Sequence, residues 1–502
     1  SSPPIWKVVL SRAAQSTRAY DQSRVIRISQ RETPSTDTVE LLLANQDNAL
    51  TSLDFEHYQA VISYGYNTGV ARCAWVAGST YAINDIVIPT AANTNGYQYR
   101  CSVAGTVAGT TEPTWSASLG VTVADSAVTW EMDGYTGNEY SRTSPLRIRT
   151  QELYSGTGIL RCILRPKGIF DQLAEDKAES RYTQLSTDTN TVQALITAIA
   201  GATLAPYTSY TAYTVTYDST DSIIGTFKPA EYFSVALNEN RLDKIQELLN
   251  YTGCKMREQN DGAIHIFDPI TTGTTYDYEY KFNVAGDHHF WNKSIRLRFI
   301  EPNKEVVTSS STEVAIYSAS ATSGTSYALA TKTHTTERRL ASTAEASNIA
   351  SAIVERYELD AERGFVTVPM NVGQELWDYV KVTDSLSSDT RVGNIQFIQR
   401  NVEIHQDNRP LTWTMMVAFG KVTEQSILAN MLATSQALSR TGEARLNNDD
   451  ILALYDGLRD KLNELITSHN NLKTTVYLMF EDVTFRKVKV IERLIIPVWT
   501  VS

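Results

Sequence analysis

CAWVAGSTYAINDIVIP (73–89), NGYQYRCSVAGTVAGTTEPTW (95–115) and GVTVADSAVTW (120–130) fall within one aromatic-rich block, Cys73–Gly134. Three of the eight tryptophans lie in it, Trp75, Trp115 and Trp130, with Tyr81, Tyr97 and Tyr99 between them. The sequence on either side reads as one interrupted domain, VISYGYNTG (61–69) before the block and YTGNEYSRTSPLRIRTQELYSGTGILRCIL (135–164) after it. The block is therefore expected to be a small β module inserted into a β scaffold made of 1–72 and 135–168. An added module of this kind suits a protein that grips a surface better than one that turns over a metabolite.

Around that block the chain is mainly β and multidomain. A length of 502 residues is too great for one ordinary core and sets a prior of about three to five domains. The runs WKVVLSRA (6–13), SRVIRISQR (23–31) and VELLLAN (39–45) read as strands, and NQDNALTSLDF (45–55) as a loop. Residues 169–290 read as an α+β domain. It has helices over 169–182 and 191–202 and a helix–hairpin unit, in which Leu242, Ile245, Leu248 and Leu249 share a face. Gly253 is expected as that helix's C-cap, and Asn260-Asp261-Gly262 as the hairpin turn. Residues 291–421 read as a second β domain with one helix over 340–364 and a polar Thr/Ser stretch around 306–336. The remainder, 422–502, reads as a helical segment and strands. There Ile451, Tyr455, Leu458, Leu462, Leu465, His469 and Leu472 alternate at spacings of four and three, a seam that faces a partner helix. Self-association is placed slightly ahead of an intrachain helix pair.

Charge and motifs narrow the function. A net charge of -11 argues against a general nucleic-acid binder, which needs a basic face to release counterions. No apolar run approaches the roughly 18–20 residues that span a bilayer, and SSPPIWKVVL lacks the pattern of a secretory signal. Four cysteines in this length are not a disulfide framework; Cys73 and Cys101 are expected as reduced thiols rather than a pair. GTVAGT (105–110) has no following Lys to reach a phosphate, and HExxH, CxxC and GxSxG do not occur. His288-His289 is a poor chelate, because adjacent strand side chains point to opposite faces. No catalytic residue, metal or cofactor is assigned. The aromatic block does offer chemistry. Ring faces stack on sugars, and Trp75, Tyr81, Tyr97 and Trp115 are the candidate glycan contacts. The alternative is that these rings are the core of a small module. Trp130 and Tyr99 are expected buried, Trp115 and Trp75 exposed.

Two stretches carry a resemblance. Trp75, Tyr81, Val87-Ile88-Pro89, Asn95-Gly96-Tyr97-Gln98-Tyr99, Ala104-Gly105-Thr106, Glu112-Pro113-Thr114-Trp115 and Val128-Thr129-Trp130 follow one pattern. On them the block resembles the small carbohydrate-binding-like modules of bacteriophage tail and fibre proteins. It departs at Asp125-Ser126, where the pattern more often has Asp-Gly. The segments 41–66, 138–153 and 241–269 are similar in layout to tail-tip or baseplate hub proteins of long-tailed (siphovirus) phages. That resemblance implies a structural, non-enzymatic virion protein with two tube-like β domains. It would form a ring of three copies that continues the tail tube and joins it to the tip or fibres. DNA would pass through the channel without specific binding, as an acidic chain favours. The implied partners are further copies of the chain, the distal tail protein, the tube, a central fibre or spike and the tape measure. A host surface glycan is a further one. The implied place is the virion tail tip, assembled in the host cytoplasm. Two alternatives stay open, a receptor-binding fibre or adhesin and a tail-associated cell-wall hydrolase.

Overall fold

The computed structural model describes residues 2–106, 111–282, 288–296, 300, 302–310, 315–323, 331–361, 363–405 and 410–420. All described elements belong to Ser1–Glu424, the first of two compact units into which the chain divides; the second is Gln425–Ser502. The expected seam, Ile451, Tyr455, Leu458, Leu462, Leu465, His469 and Leu472, lies outside the described residues.

The fold is mainly β, and one long sheet organises it. Its strands run in the order Arg18–Asp21, Pro4–Ser11, Gln59–Asn67, Leu146–Gly156, Ile159–Lys167, Thr36–Ala44 and Val25–Thr33. They continue without a break through Asp389–Glu403, Thr412–Phe419, Arg363–Pro369 and Asn292–Arg296. Tyr379–Asp384 adds to Asp389–Glu403, and Tyr278–Phe282 pairs parallel with Tyr379–Asp384. The alternation that predicted these strands does its expected work: Leu146 and Ile148 are buried, with half-buried Arg147 between them on the other face. That second face carries cross-strand ion pairs rather than bare charge. Arg165 reaches Glu152 at 3.0 Å and Glu40 at 3.6 Å, and Arg27 also pairs with Glu40.

The two β regions expected from the sequence share this sheet and one core. The joint is the antiparallel pairing of Val25–Thr33 with Asp389–Glu403, in which Ile28 lies opposite Val402. Both are fully buried and belong to a single apolar cluster that runs from Trp6 to Phe419. Trp413 closes it from the second region. Its indole donates to the Tyr66 hydroxyl at 2.8 Å, and that hydroxyl donates to the Met370 carbonyl at 2.7 Å.

The α+β part departs from the expected boundaries. Its core unites helices Ile169–Glu175, Val192–Ala200, Ser222–Thr226 and Arg241–Leu249 with the later helix Thr343–Ala361. The apolar face of Thr343–Ala361 (Ala346, Ile349, Ala350 and Ile353) is buried in this cluster rather than in the second β region. The polar stretch around 306–336 holds strands Lys304–Thr308, Ser318–Thr322 and Thr333–Glu337, which form a separate three-stranded sheet beside that helix. The first helix stops at Asp176, well short of residue 182. Gly253 is not a helix cap: Asn250 ends the helix, and the Gly253 N–H donates to Asp221 Oδ2 at 2.7 Å. The expected turn is present, with Gly262 at φ +78. Among the described residues no helix is long and apolar enough to cross a membrane.

Candidate functional site

The inserted block folds as a five-stranded sheet in the order Thr122–Asp125, Val128–Tyr135, Tyr97–Val103, Ile86–Ile88 and Cys73–Ala74. Its core is Trp75, Val87, Tyr99, Cys101, Val128, Trp130 and Met132. Trp130 and Tyr99 are buried, as expected. Trp75 is not the exposed ring expected from the sequence: only 5% of its surface is accessible. The cause is Asp125. Its carboxylate Oδ2 accepts the indole N–H of Trp75 at 2.8 Å and that of Trp130 at 3.0 Å. One buried acceptor thus ties two tryptophans from the two ends of the module. It sits in a tight turn, where Ser126 adopts φ 55. That is why the common pattern has glycine at this point.

The other candidate rings divide. Trp115 is half-buried, stacked on Tyr99 at 4.3 Å with its edge to Trp130, and its N–H donates to Glu112 Oε1 at 2.7 Å. Glu112 also accepts from the Thr90 amide at 2.7 Å and from Asn93 at 2.6 Å. Burial works to raise its pKa, but these hydrogen bonds outweigh it and hold the carboxyl below its ordinary value. Tyr81 lies edge-on to Trp130 at 4.8 Å, and its hydroxyl accepts from the Val76 amide. Tyr97 also packs against the module's core and is half-buried. It pairs at 5.3 Å with Tyr135, which is 62% exposed. Sequence reading missed Tyr135. It follows Gly134, where the register of the last strand shifts against Tyr97–Val103 and turns the ring outward. Cys73 is exposed, Cys101 is buried, and all four cysteines are free thiols.

A buried polar network roots the module in the scaffold. Asp133, at the end of the module's last strand, accepts from Lys7 Nζ at 2.7 Å, Arg142 Nη2 at 2.6 Å and Gln98 Nε2 at 3.2 Å. Lys7 comes from the scaffold strand Pro4–Ser11, and its ammonium also lies 4.4 Å from the Tyr140 ring centroid. Gln98 completes the tie by donating to the Asn138 carbonyl and accepting the Gly137 amide. Burial alone would raise the Asp133 carboxyl, but Lys7 and Arg142 hold it at about 2. Burial draws Lys7 below its ordinary value against the pull of Asp133. Two cations thus converge on one buried carboxylate. The scaffold beneath it is itself closely packed: a Cβ at Gly65 would stand 2.0 Å from the Glu139 carbonyl oxygen. The module is therefore clamped to the sheet, not hung from a linker. Nothing in this arrangement pairs a nucleophile with a base, and among the described residues no His/Cys/Asp/Glu group has the arrangement to hold a metal.

No protein-family model and no curated protein matches the chain. Among solved structures it is similar to a tail protein from Neisseria meningitidis, at 9% identity and a TM-score of 0.48, over 83% of this chain and 96% of that one. It is similar to prophage tail protein gp18 from Listeria monocytogenes, at 10% identity and a TM-score of 0.46, over 86% and 99%. The prophage MuSo2 43 kDa tail protein from Shewanella oneidensis is a third, at 11% identity and a TM-score of 0.42, over 83% and 98%.

Proposed function

We propose that this chain is a structural, non-catalytic protein of a bacteriophage tail, the hub at the distal tip of a long-tailed phage. Three copies would form a ring that continues the tail tube, contacts the distal tail protein, the tape measure and the central fibre or spike, and leaves a channel for the genome. The observation that carries this reading is the continuous sheet. Two β regions lie side by side in each copy, and the strands at its ends, Arg18–Asp21 and Asn292–Arg296, each have one neighbour among the described residues. Edge strands of that kind recruit another chain, so neighbouring copies can close a ring sheet to sheet. The sequence resemblance of 41–66, 138–153 and 241–269 supports the same reading. Light scattering on the purified chain tests it, with and without residues 422–502. A mass of three copies is expected. A monomer that also fails to join isolated tail tubes overturns the proposal.

The pairing of half-buried Tyr97 with exposed Tyr135 favours a second role for the inserted module, contact with a host surface glycan. Such contact would use these two rings and not Trp75, which is committed to Asp125. Replacing both tyrosines with alanine is expected to abolish retention on host polysaccharide. Unchanged retention removes this role.

A further inference from the structure

The turn that leads into strand Tyr379–Asp384 combines backbone strain with a buried carboxyl group. Trp377 is buried, yet its backbone is left-handed, at φ 71. A bulky residue adopts that conformation only where its surroundings impose it, and such strain gathers at switch points. Three contacts impose it here. The Trp377 amide donates to the Ile395 carbonyl at 2.6 Å, its carbonyl accepts from Asn394 Nδ2 at 2.8 Å, and its indole donates to the Met256 carbonyl at 3.1 Å. The last of these crosses from the second β region to strand Lys255–Glu258 of the α+β part.

The next residue, Asp378, is also buried. Its Oδ2 accepts from Gln374 Nε2 and from the Glu375 amide, both at 2.7 Å. Its Oδ1 has no hydrogen-bond partner among the described residues, which leaves that atom to carry a proton. Arg257, on the same strand as Met256, stands 3.6 Å from Oδ1 but 2.9 Å from Glu375 Oε2. The other charged and titratable groups around the turn are engaged elsewhere. Asp277 accepts the Tyr379 amide at 2.8 Å, Tyr280 donates to Gln374 Oε1 at 2.7 Å, and Arg400 donates to Glu32 and to the Gln374 carbonyl. The Lys255 ammonium lies 5.7 Å from the Trp377 ring centroid. Tyr278 also faces Asp378, and its hydroxyl is raised by burial and by that carboxyl. Burial lifts the Asp378 carboxyl to about 7, and Glu375 and Asp277 add to the rise against the Glu375 amide and Arg257.

We infer that this turn is a proton-operated latch between strand Lys255–Glu258 and the second β region, closed while Asp378 holds its proton and released when it ionises. Release lets Trp377 leave its strained backbone and the Met256 carbonyl together. An open turn returns Asp378 to water and to its ordinary value of 3.8. The closed turn is therefore fully favoured below 3.8 and loses ground as pH rises from there to about 7. The open fraction grows about tenfold per pH unit across that window and levels off above it. Hydrogen exchange of the full chain, corrected for the intrinsic effect of pH, tests this at residues 377–379. Exchange there is expected to be roughly tenfold or more faster at about pH 7.5 than at about pH 5.5. Asp378→Asn, which stays neutral, should remain slow at both. Glu375→Gln, at an exposed position, removes a repelling charge and frees Arg257 for Asp378, so the rise should level off at lower pH and the contrast shrink. Exchange in the native chain that ignores pH, a contrast that persists in Asp378→Asn, or one that Glu375→Gln leaves at full size overturns the inference.

Discussion

Single residues decide how the module is built and held. Asp133 is the clearest case, because two cations and an amide converge on one buried carboxylate. Asp133→Asn keeps the shape and leaves Lys7 and Arg142 without their counter-charge. The expected cost is about 3–5 kcal/mol at pH 7, read from denaturant unfolding followed by tryptophan fluorescence. Asp133 is held at about 2, below the ordinary 3.8, so its contribution is full above the ordinary value. It is lost as pH falls from 3.8 towards 2, and the gap between the two proteins should narrow over that window. Equal stability at pH 7 would show that the network does not hold the module. Ser126 is the converse case, an exposed residue in left-handed backbone. Ser126→Gly removes that strain at some cost in unfolded-chain entropy, for a net gain of up to about 1 kcal/mol. A lower melting temperature would count against this account. The departure at Asp125-Ser126 was legible in the sequence, but its partners were not. Trp75 and Asp125 are fifty residues apart, and no periodicity joins a ring to an acceptor at that distance.

Elements were legible where their pattern was local. The helix Arg241–Leu249 and its hairpin follow from four periodic leucine and isoleucine positions and one Asn-Asp-Gly turn, and the structure holds all three. The strands between 304 and 337 were hidden, because SASAT and THTTE carry no large apolar residue and the one fully buried side chain of their central strand to join the apolar core is Val307. They exist because Thr343–Ala361 offers them an apolar face, a tertiary cause that local propensity does not contain. Arg241 shows the same limit. It opens its helix, yet its fully buried guanidinium caps another one. It donates to the Ile199 carbonyl at 3.0 and 2.8 Å, to Thr211 at 2.9 Å, to Asp176 at 2.8 Å and to Ala200. Arg241→Met strands these acceptors in the core at an expected cost of about 3–5 kcal/mol. Arg241→Lys should recover only part of it, since one ammonium cannot reproduce the planar fork. Hydrogen exchange at Ile199–Thr203 is the measurement, and unchanged protection in Arg241→Met would refute the capping role.

At the scale of the molecule, the mainly β class and the interruption by the module were legible from alternation and from the matching flanks of the block. The fusion of the two β regions was not, because Val25–Thr33 and Asp389–Glu403 are separated by most of the chain, and edge pairing leaves no mark in either segment. This joint determines whether the scaffold acts as one body. Ile28 and Val402 face each other across it and are fully buried. Ile28→Ala is expected to cost about 2–5 kcal/mol and Val402→Ala somewhat less. The double variant should differ from the sum of the two, because the residues are direct neighbours. The stronger test is where the damage spreads. A single shared core predicts that Ile28→Ala lowers amide protection on both sides of the joint, at Leu41 and Ile62 and equally at Val366 and Val417, all in the same apolar cluster. Two domains that merely touch would lose protection only among residues 4–167. The ring proposed above would need the first behaviour, so loss confined to one side would count against both the shared core and the proposal built on it.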